Sequence, residues 1–259
     1  TNHEKIELKN LQLSGNNTTV VPLTITSSCN AHDLIILNSD YSLLEIGNTA
    51  GAITVRLWNI IAYRISGNGN DFGFRFNGNN STVYCENSTA RAAASNGHTG
   101  FSRVQGTVTV INCISQGFGT AGFGGTFTSS NYNLSGDATA PGANSQQSKT
   151  LTFVNTTAGS EDFHLASTDT DAIDKGTSTI NNSFTTDIDG QTRTGTWDIG
   201  ADEYVAAGGA VTPTKRRVIL ISKNEKTKYN RGNFIAGNSN HPDSRLAMLI
   251  RNKTANLAD

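Results

Sequence analysis

ITVRLWNIIAYRISGNGNDFGFRFNG (Ile53–Gly78), STVYCENSTARAAASNGHTGFSRVQG (Ser81–Gly106) and GTVTVINCISQGFGTAGFGGTF (Gly106–Phe127) are three copies of one unit. Each opens on alternating apolar residues and reaches an Asn: Asn59, Asn87 or Asn112. A Gly/Ser/Asn-rich stretch follows, and a Gly-Phe pair closes the copy (Gly73-Phe74, Gly100-Phe101, Gly122-Phe123). The Asn-to-Asn steps are 28 and 25 residues, within the range of solenoid repeats. Period-two alternation of Val, Ile, Thr and Phe broken by Gly and Asn is the chemistry of strands and turns.

A repeat this short, without a helical half, suits one turn of a parallel β-helix, with coils stacked about 4.8 Å apart. Val55 and Leu57, Val83 and Cys85, and Val108 and Val110 are then expected to form apolar columns along its axis. Asn59, Asn87 and Asn112 are expected to form a buried ladder, each amide bonding its neighbours above and below. The same phase extends outward more faintly through Asn10, Asn38, Asn133 and Asn155. Gly suits the bends, where a positive φ or a close backbone approach is needed.

These three coils resemble the right-handed parallel β-helix proteins of the pectate-lyase-like superfamily. EDFHLASTDTDAIDKG and TTDIDGQTRTGTWDIGADEY, within Glu161 to Tyr204, are similar to an end segment found in predicted secreted and phage-encoded members of that group. The resemblance covers about Ile6 to Tyr204. It implies an all-β, right-handed, single-stranded parallel β-helix with an end-capping segment and a small basic C-terminal appendage. For activity it implies little, since such solenoids serve as lyases, glycosidases, adhesins and virion spikes alike.

Around this core the chain divides into coils (1–157), an acidic end segment (158–205), a linker (206–214) and a basic tail (215–259). The composition is 36 % hydrophobic and only 16 % charged, with 26 Gly and 4 Pro. Low charge with abundant Asn, Thr and Ser fits a flat, amide- and hydroxyl-covered β surface rather than a disordered chain. The net charge of −1 gives no global pull toward nucleic acid or membrane, yet its distribution is uneven. The last 45 residues hold ten Lys/Arg against three acids, so the preceding 214 hold ten against eighteen. No apolar run approaches the roughly 20 residues of a membrane span. Cys29, Cys85 and Cys113, at wide unmatched spacing, read as buried small apolar residues, with Cys85 and Cys113 on different faces.

The start of the solenoid carries no amphipathic helix to seal it, so a further N-terminal segment or another chain is expected to cover that end. SSNYNLSGDATAPGANSQQSK reads as a surface loop, and LTFVN as a returning strand. In the end segment, Trp197, Ile199 and Tyr204 are expected to cover the last coil. The tail offers a strand, Val218 to Ser222, and a short helix begun by Asp243 or Ser244 and running to Asn256, with an apolar face. Lys215, Arg216, Arg217, Val218, Leu220, Leu246, Leu249 and Ile250 are therefore the candidate docking residues, with pairing to another chain and a dimer or trimer in view.

Cleavage of a polysaccharide needs two carboxyls facing one sugar. The three coils supply only Asp71 and Glu86, beside Arg56, Arg64, Arg75, Arg91 and Arg103. The lyases of the resembled superfamily use clustered Asp that hold calcium plus an Arg base, and these coils carry no such cluster. Asp187, Asp189, Asp198, Asp202 and Glu203 are candidate calcium ligands, although Asp and Gly in tight turns need no metal. The five His are scattered, and His164 is expected to pack and hydrogen-bond within the end segment. No catalytic residue and no cofactor is assigned. The expected function is a non-enzymatic structural or display protein, foremost a virion surface component. The alternatives are a secreted glycan-binding adhesin and a polysaccharide lyase or glycosidase. Expected partners are virion or cell-surface proteins and surface glycans, at a virion surface or outside the cell.

Overall fold

The computed structural model describes residues 6–18, 21–39, 41–47, 51–64, 71–93, 97–157, 160–206 and 217–220. Their strands are β1 (Ile6–Thr18), β2 (Leu23–Ile25), β3 (Cys29–Ser39), β4 (Ser42–Ile46), β5 (Ile53–Arg64), β6 (Phe72–Phe76), β7 (Ser81–Glu86) and β8 (Thr89–Ala92). There follow β9 (Thr99–Arg103), β10 (Thr107–Ile111), β11 (Ile114–Gln116), β12 (Ala121–Gly124), β13 (Leu134–Ser135), β14 (Phe153–Asn155), β15 (Asp162–Leu165) and β16 (Arg217–Leu220). Two parallel sheets wind into a solenoid. One has the order β13-β11-β8-β5-β3-β1-β16, with β7 and β10 continuing it beside β5, and the other is β12-β9-β6-β4-β2. Consecutive members of the second sheet lie one winding apart, so its five strands mark four successive windings. Only β14 and β15 pair antiparallel among these strands.

The inward columns stand as the alternation predicts. Val55 pairs with Val83 and Val83 with Val108, while Leu57 pairs with Cys85 and Cys85 with Val110. All six are fully buried in the core inside the coils. The Gly-Phe pairs form a second column. Phe74 pairs with Phe101 and Phe101 with Phe123, the rings stacked at 4.6 and 4.9 Å with interplanar angles of 4° and 7°. Gly precedes each Phe because the backbones pass closely: a Cβ on Gly100 would come within 2.7 Å of the Gly122 carbonyl and 1.9 Å of Ser115 Oγ.

The Asn column is real, and it is first a backbone device. Asn59, Asn87 and Asn112 are fully buried with φ of 51°, 43° and 54°, each turning the chain between two strand halves. Asn tolerates this left-handed region better than other side chains. The flanking registers place Asn10 and Asp33, with φ of 55° and 53°, at the same corner. Asp33, not Asn38, is thus the rung between Asn10 and Asn59, and Asn38 sits five residues further along β3. On the other side Tyr132 (φ 53°) takes the rung opposite Asn112, and Asn133 is one residue beyond. Asn155 belongs to the antiparallel pair and lies off the column.

Amide-to-amide bonding is only part of the ladder. Asn112 Nδ2 donates to Asn87 Oδ1 (3.1 Å) and Asn59 Nδ2 to Asp33 Oδ1 (3.0 Å). Asn112 also donates to the Thr177 carbonyl (2.7 Å) and accepts from the Thr177 N–H (3.0 Å). Asn112→Ala leaves these buried partners unmatched, and we expect a loss of about 1–3 kcal/mol in denaturant unfolding. A change below about 0.5 kcal/mol, the size of an ordinary surface substitution, would deny the column a structural role.

Several expectations are corrected. Cys85 and Cys113 converge, because the turn at Asn112 redirects Cys113 inward: both are fully buried and unbridged, and Cys113 Sγ lies 3.3 Å from the Cys85 carbonyl. The stretch expected as a surface loop contributes β13, with Asn133, Leu134 and Ser135 fully buried. At the start of the solenoid, β16 pairs parallel to β1 in the register Leu11↔Arg217 to Ser14↔Leu220. The chain's own tail strand therefore pairs with the Leu11–Ser14 part of that edge. Lys215, Arg216, Leu246, Leu249, Ile250 and the expected helix lie outside the described residues.

A second apolar cluster lies outside the coils. Ile61, Tyr63, Ile114 and Leu134 meet Phe163, Leu165, Ile188, Ile199 and Ala201 there. The second half of β5 is accordingly buried on both faces, which is why IIAY is an unbroken apolar run whereas TVRLW alternates. The acidic segment does not simply close the last coil; it lies along the Asn corner of several coils.

Candidate functional site

Glu86 shows how this acidic segment is held. It follows inward Cys85 on β7, so it points away from the core, yet it is fully buried. Its Oε1 accepts the Asn181 N–H (2.6 Å) and side-chain amide (2.9 Å), and its Oε2 accepts the Asn182 N–H (2.9 Å). Further along the corner, Asn59 Nδ2 reaches the Thr186 carbonyl (2.8 Å) and Asn87 Nδ2 the carbonyls of Asp198 and Gly200 (3.3 Å each). The ladder side chains thus bind the end segment as much as one another.

Arg193 is the hub on the segment's side. Its fully buried guanidinium pairs with Glu203 (3.1 Å) and donates to Asn59 Oδ1 (3.1 Å) and the carbonyls of Gly200, Ala201 and Asp202. Glu203 also accepts the N–H groups of Thr194 and Asp198. Asp187 accepts from Asp189, Gln191 and Glu203 backbone N–H groups, and Asp198 from those of Asp174 and Tyr204. Three of the five acids considered as calcium ligands thus have both oxygens occupied by the segment's own donors. Trp197 and Phe184 continue an aromatic stack onto Trp58, so Trp197 packs beside the coils.

Burial pushes the Asp198 carboxyl up to about 7, against the pull of its two backbone N–H donors. A carboxyl raised in the folded state holds a proton that the unfolded chain has released. Its contribution is therefore complete below the ordinary carboxylate range near 3.8 and is lost as pH rises through about 7. We expect the thermal midpoint to fall between pH 4 and 8 at fixed ionic strength, with Asp198→Asn flattening that slope. Equal slopes in the two proteins would show that Asp198 titrates normally.

The carboxylates considered for cleavage are not disposed as a pair. Asp71 is buried with Arg64 (2.6 Å) and His98 (3.3 Å) at another corner, far in register from Glu86. Arg75 pairs with Glu45 (2.6 Å) under Tyr41 and Phe72, and Arg103 chelates the Gly106 carbonyl. Arg56 differs, because it borders a cavity of about 250 Å³ lined by Asn30, Arg56, Trp58, Asn181, Asn182 and Ser183. Its guanidinium lies 4.7 Å above the Tyr84 ring and donates to Asn181 O and Asn182 Oδ1 (3.0 Å each). Trp58 is sandwiched between His32 and Phe184, presenting only an edge.

One group has the composition of a metal site. His164 on β15, Asp189 in the DIDG turn and Asp202 in the GADE turn bring ligand atoms within 4.8 Å of one another. His164 hydrogen-bonds Asp189 through Nε2 and Asp162 through Nδ1, as expected of a residue bonded within this segment. Those carboxylates raise the imidazole to about 10, and burial raises Asp202 to about 6. Spacing alone hid the group, since it joins one His to Asp residues 25 and 38 positions later.

No protein-family model matches the chain, and no curated protein or solved structure matches it.

Proposed function

We propose that the chain is a rigid, non-enzymatic structural or display protein of a virion or extracellular surface, a solenoid akin to those of the pectate-lyase-like superfamily. The observation that carries this reading is the state of Glu86. The outward carboxylate best placed for chemistry on sugars is a structural staple between coil and end segment, and the coils' other candidate, Asp71, is buried with Arg64 and His98. Stacked coils with an end segment bound along their side make a stiff rod. The basic residues beyond Leu220 then serve to dock it on a partner, while Val218 and Leu220 complete its own sheet. Removing residues 221–259 leaves the rod folded and abolishes its incorporation into the particles or envelope that carry it.

A second reading, a glycan-binding module, is favoured by the amide- and Arg-lined cavity beside Trp58, which is of monosaccharide size. Assay of the full chain against acidic and neutral polysaccharides separates these functions from cleavage. No reducing or unsaturated ends should be released. Reproducible release that Asp71→Asn abolishes in a protein that remains folded would overturn the non-enzymatic reading. Saturable glycan retention weakened by Arg56→Gln would select the glycan-binding module.

A further inference from the structure

The DIDG and GADE turns deliver two carboxylates to one imidazole, and only part of this arrangement is needed to hold the turns together. Asp187, Asp198 and Glu203 have both oxygens engaged by N–H donors. Asp202 does not. It is only 5 % exposed, and one oxygen accepts the Leu165 N–H at 2.7 Å. The other oxygen receives no hydrogen bond from a described residue, although the carboxylate lies beside His164 and Asp189. That oxygen can take up a cation, which would offset the cost of burying the carboxylate.

We propose that His164, Asp189 and Asp202 form a binding site for one divalent first-row transition ion, Zn²⁺ or Mn²⁺, with water completing the coordination. His164 supplies Nε2 and the two Asp one oxygen each. Ligand bonds of about 2.0–2.2 Å put donor atoms at most about 4.4 Å apart, so a group already within 4.8 Å closes onto an ion by small side-chain movements. The imidazole favours zinc over calcium or magnesium, while the two carboxylates also admit manganese. Asp162 is the positioning residue: it accepts from Nδ1 and directs Nε2 toward the site, the carboxylate–histidine arrangement that usually backs a metal-bound imidazole. His164 and Asp162 are partly exposed, with side-chain exposures of 44 % and 41 %, which leaves the ion a route in and room for water. The three strands and turns so joined are β15, the DIDG turn and the GADE turn, so the ion pins the end segment to itself beside the coils.

The test uses the full chain, freed of metal with a chelator and dialysed. Calorimetric titration with Zn²⁺, Mn²⁺ and Ca²⁺, together with the visible spectrum on adding Co²⁺, reports affinity, stoichiometry and ligand type. One Zn²⁺ or Mn²⁺ per chain is expected, with calcium at least about tenfold weaker. Asp202→Asn and His164→Gln should each abolish that binding, and Asp162→Asn should weaken it about 10–100-fold while keeping one site per chain. Circular dichroism of each metal-free variant confirms that the solenoid is intact, so a lost site is not mistaken for lost folding. Absence of saturable binding overturns the proposal. So does binding unchanged by His164→Gln and Asp202→Asn in folded protein, or a preference for calcium.

Discussion

Arg193→Ala is expected to cost about 3–5 kcal/mol, the usual penalty for removing one partner of a buried ion pair. Glu203, 4 % exposed, loses its cation and Asn59 Oδ1 its guanidinium donor, while the carbonyls of Gly200 and Ala201 keep only the donors Asn87 Nδ2 and Ile188 N–H. The damage falls on the joint between coils and end segment, where all the hydrogen bonds of the guanidinium lie. Denaturant unfolding should therefore show an early transition, with protease cutting within residues 160–206 before it cuts the coils. A single unshifted transition would mean that Arg193 does not join the two parts.

Phe101→Ala is expected to be as severe for the opposite reason. Phe101 is fully buried between Phe74 and Phe123, so its removal opens a cavity in a stack with few ways to collapse. Such truncations cost about 3–5 kcal/mol. Stacked pairs add about 0.5–1.5 kcal/mol beyond area. Because coils contact only their neighbours, the loss falls on the windings carrying β6, β9 and β12. Phe101→Leu keeps most of the volume and should lose less than half as much. Equal losses would mean that ring stacking, not the filled space, holds the column.

What the sequence made legible was whatever repeats from coil to coil. The inward Val, Leu and Cys columns, the Gly-Phe pairs and the three central Asn all recur at one phase, because stacking puts equivalent residues in contact. The ladder was misplaced only where chemistry substitutes, since Asp33 reaches the same positive φ as Asn and Tyr132 does so against its bulk. The joint to the end segment was not legible in the same way. Glu86 meets Asn181 and Asn59 meets Arg193, pairs 95 and 134 residues apart that do not repeat from coil to coil among the described residues. One local signal did exist: IIAY on β5 is too apolar for a strand with a solvent face, which announces a second layer without saying what supplies it. VILIS likewise showed an apolar strand seeking a partner, and its first three residues, Val218–Leu220, pair with β1.

Residues without regular strand structure are held here by side chains of distant coils, a clasp that amide hydrogen exchange can read residue by residue. The Asn181 and Asn182 N–H groups lie outside any strand, yet both donate to the buried Glu86 carboxylate. They should exchange as slowly as the ladder amides of β7, and Glu86→Ala should release them while β5 and β7 stay protected. Exchange of Asn181 and Asn182 at the rate of an open loop in the unmutated protein would contradict a clasped end segment.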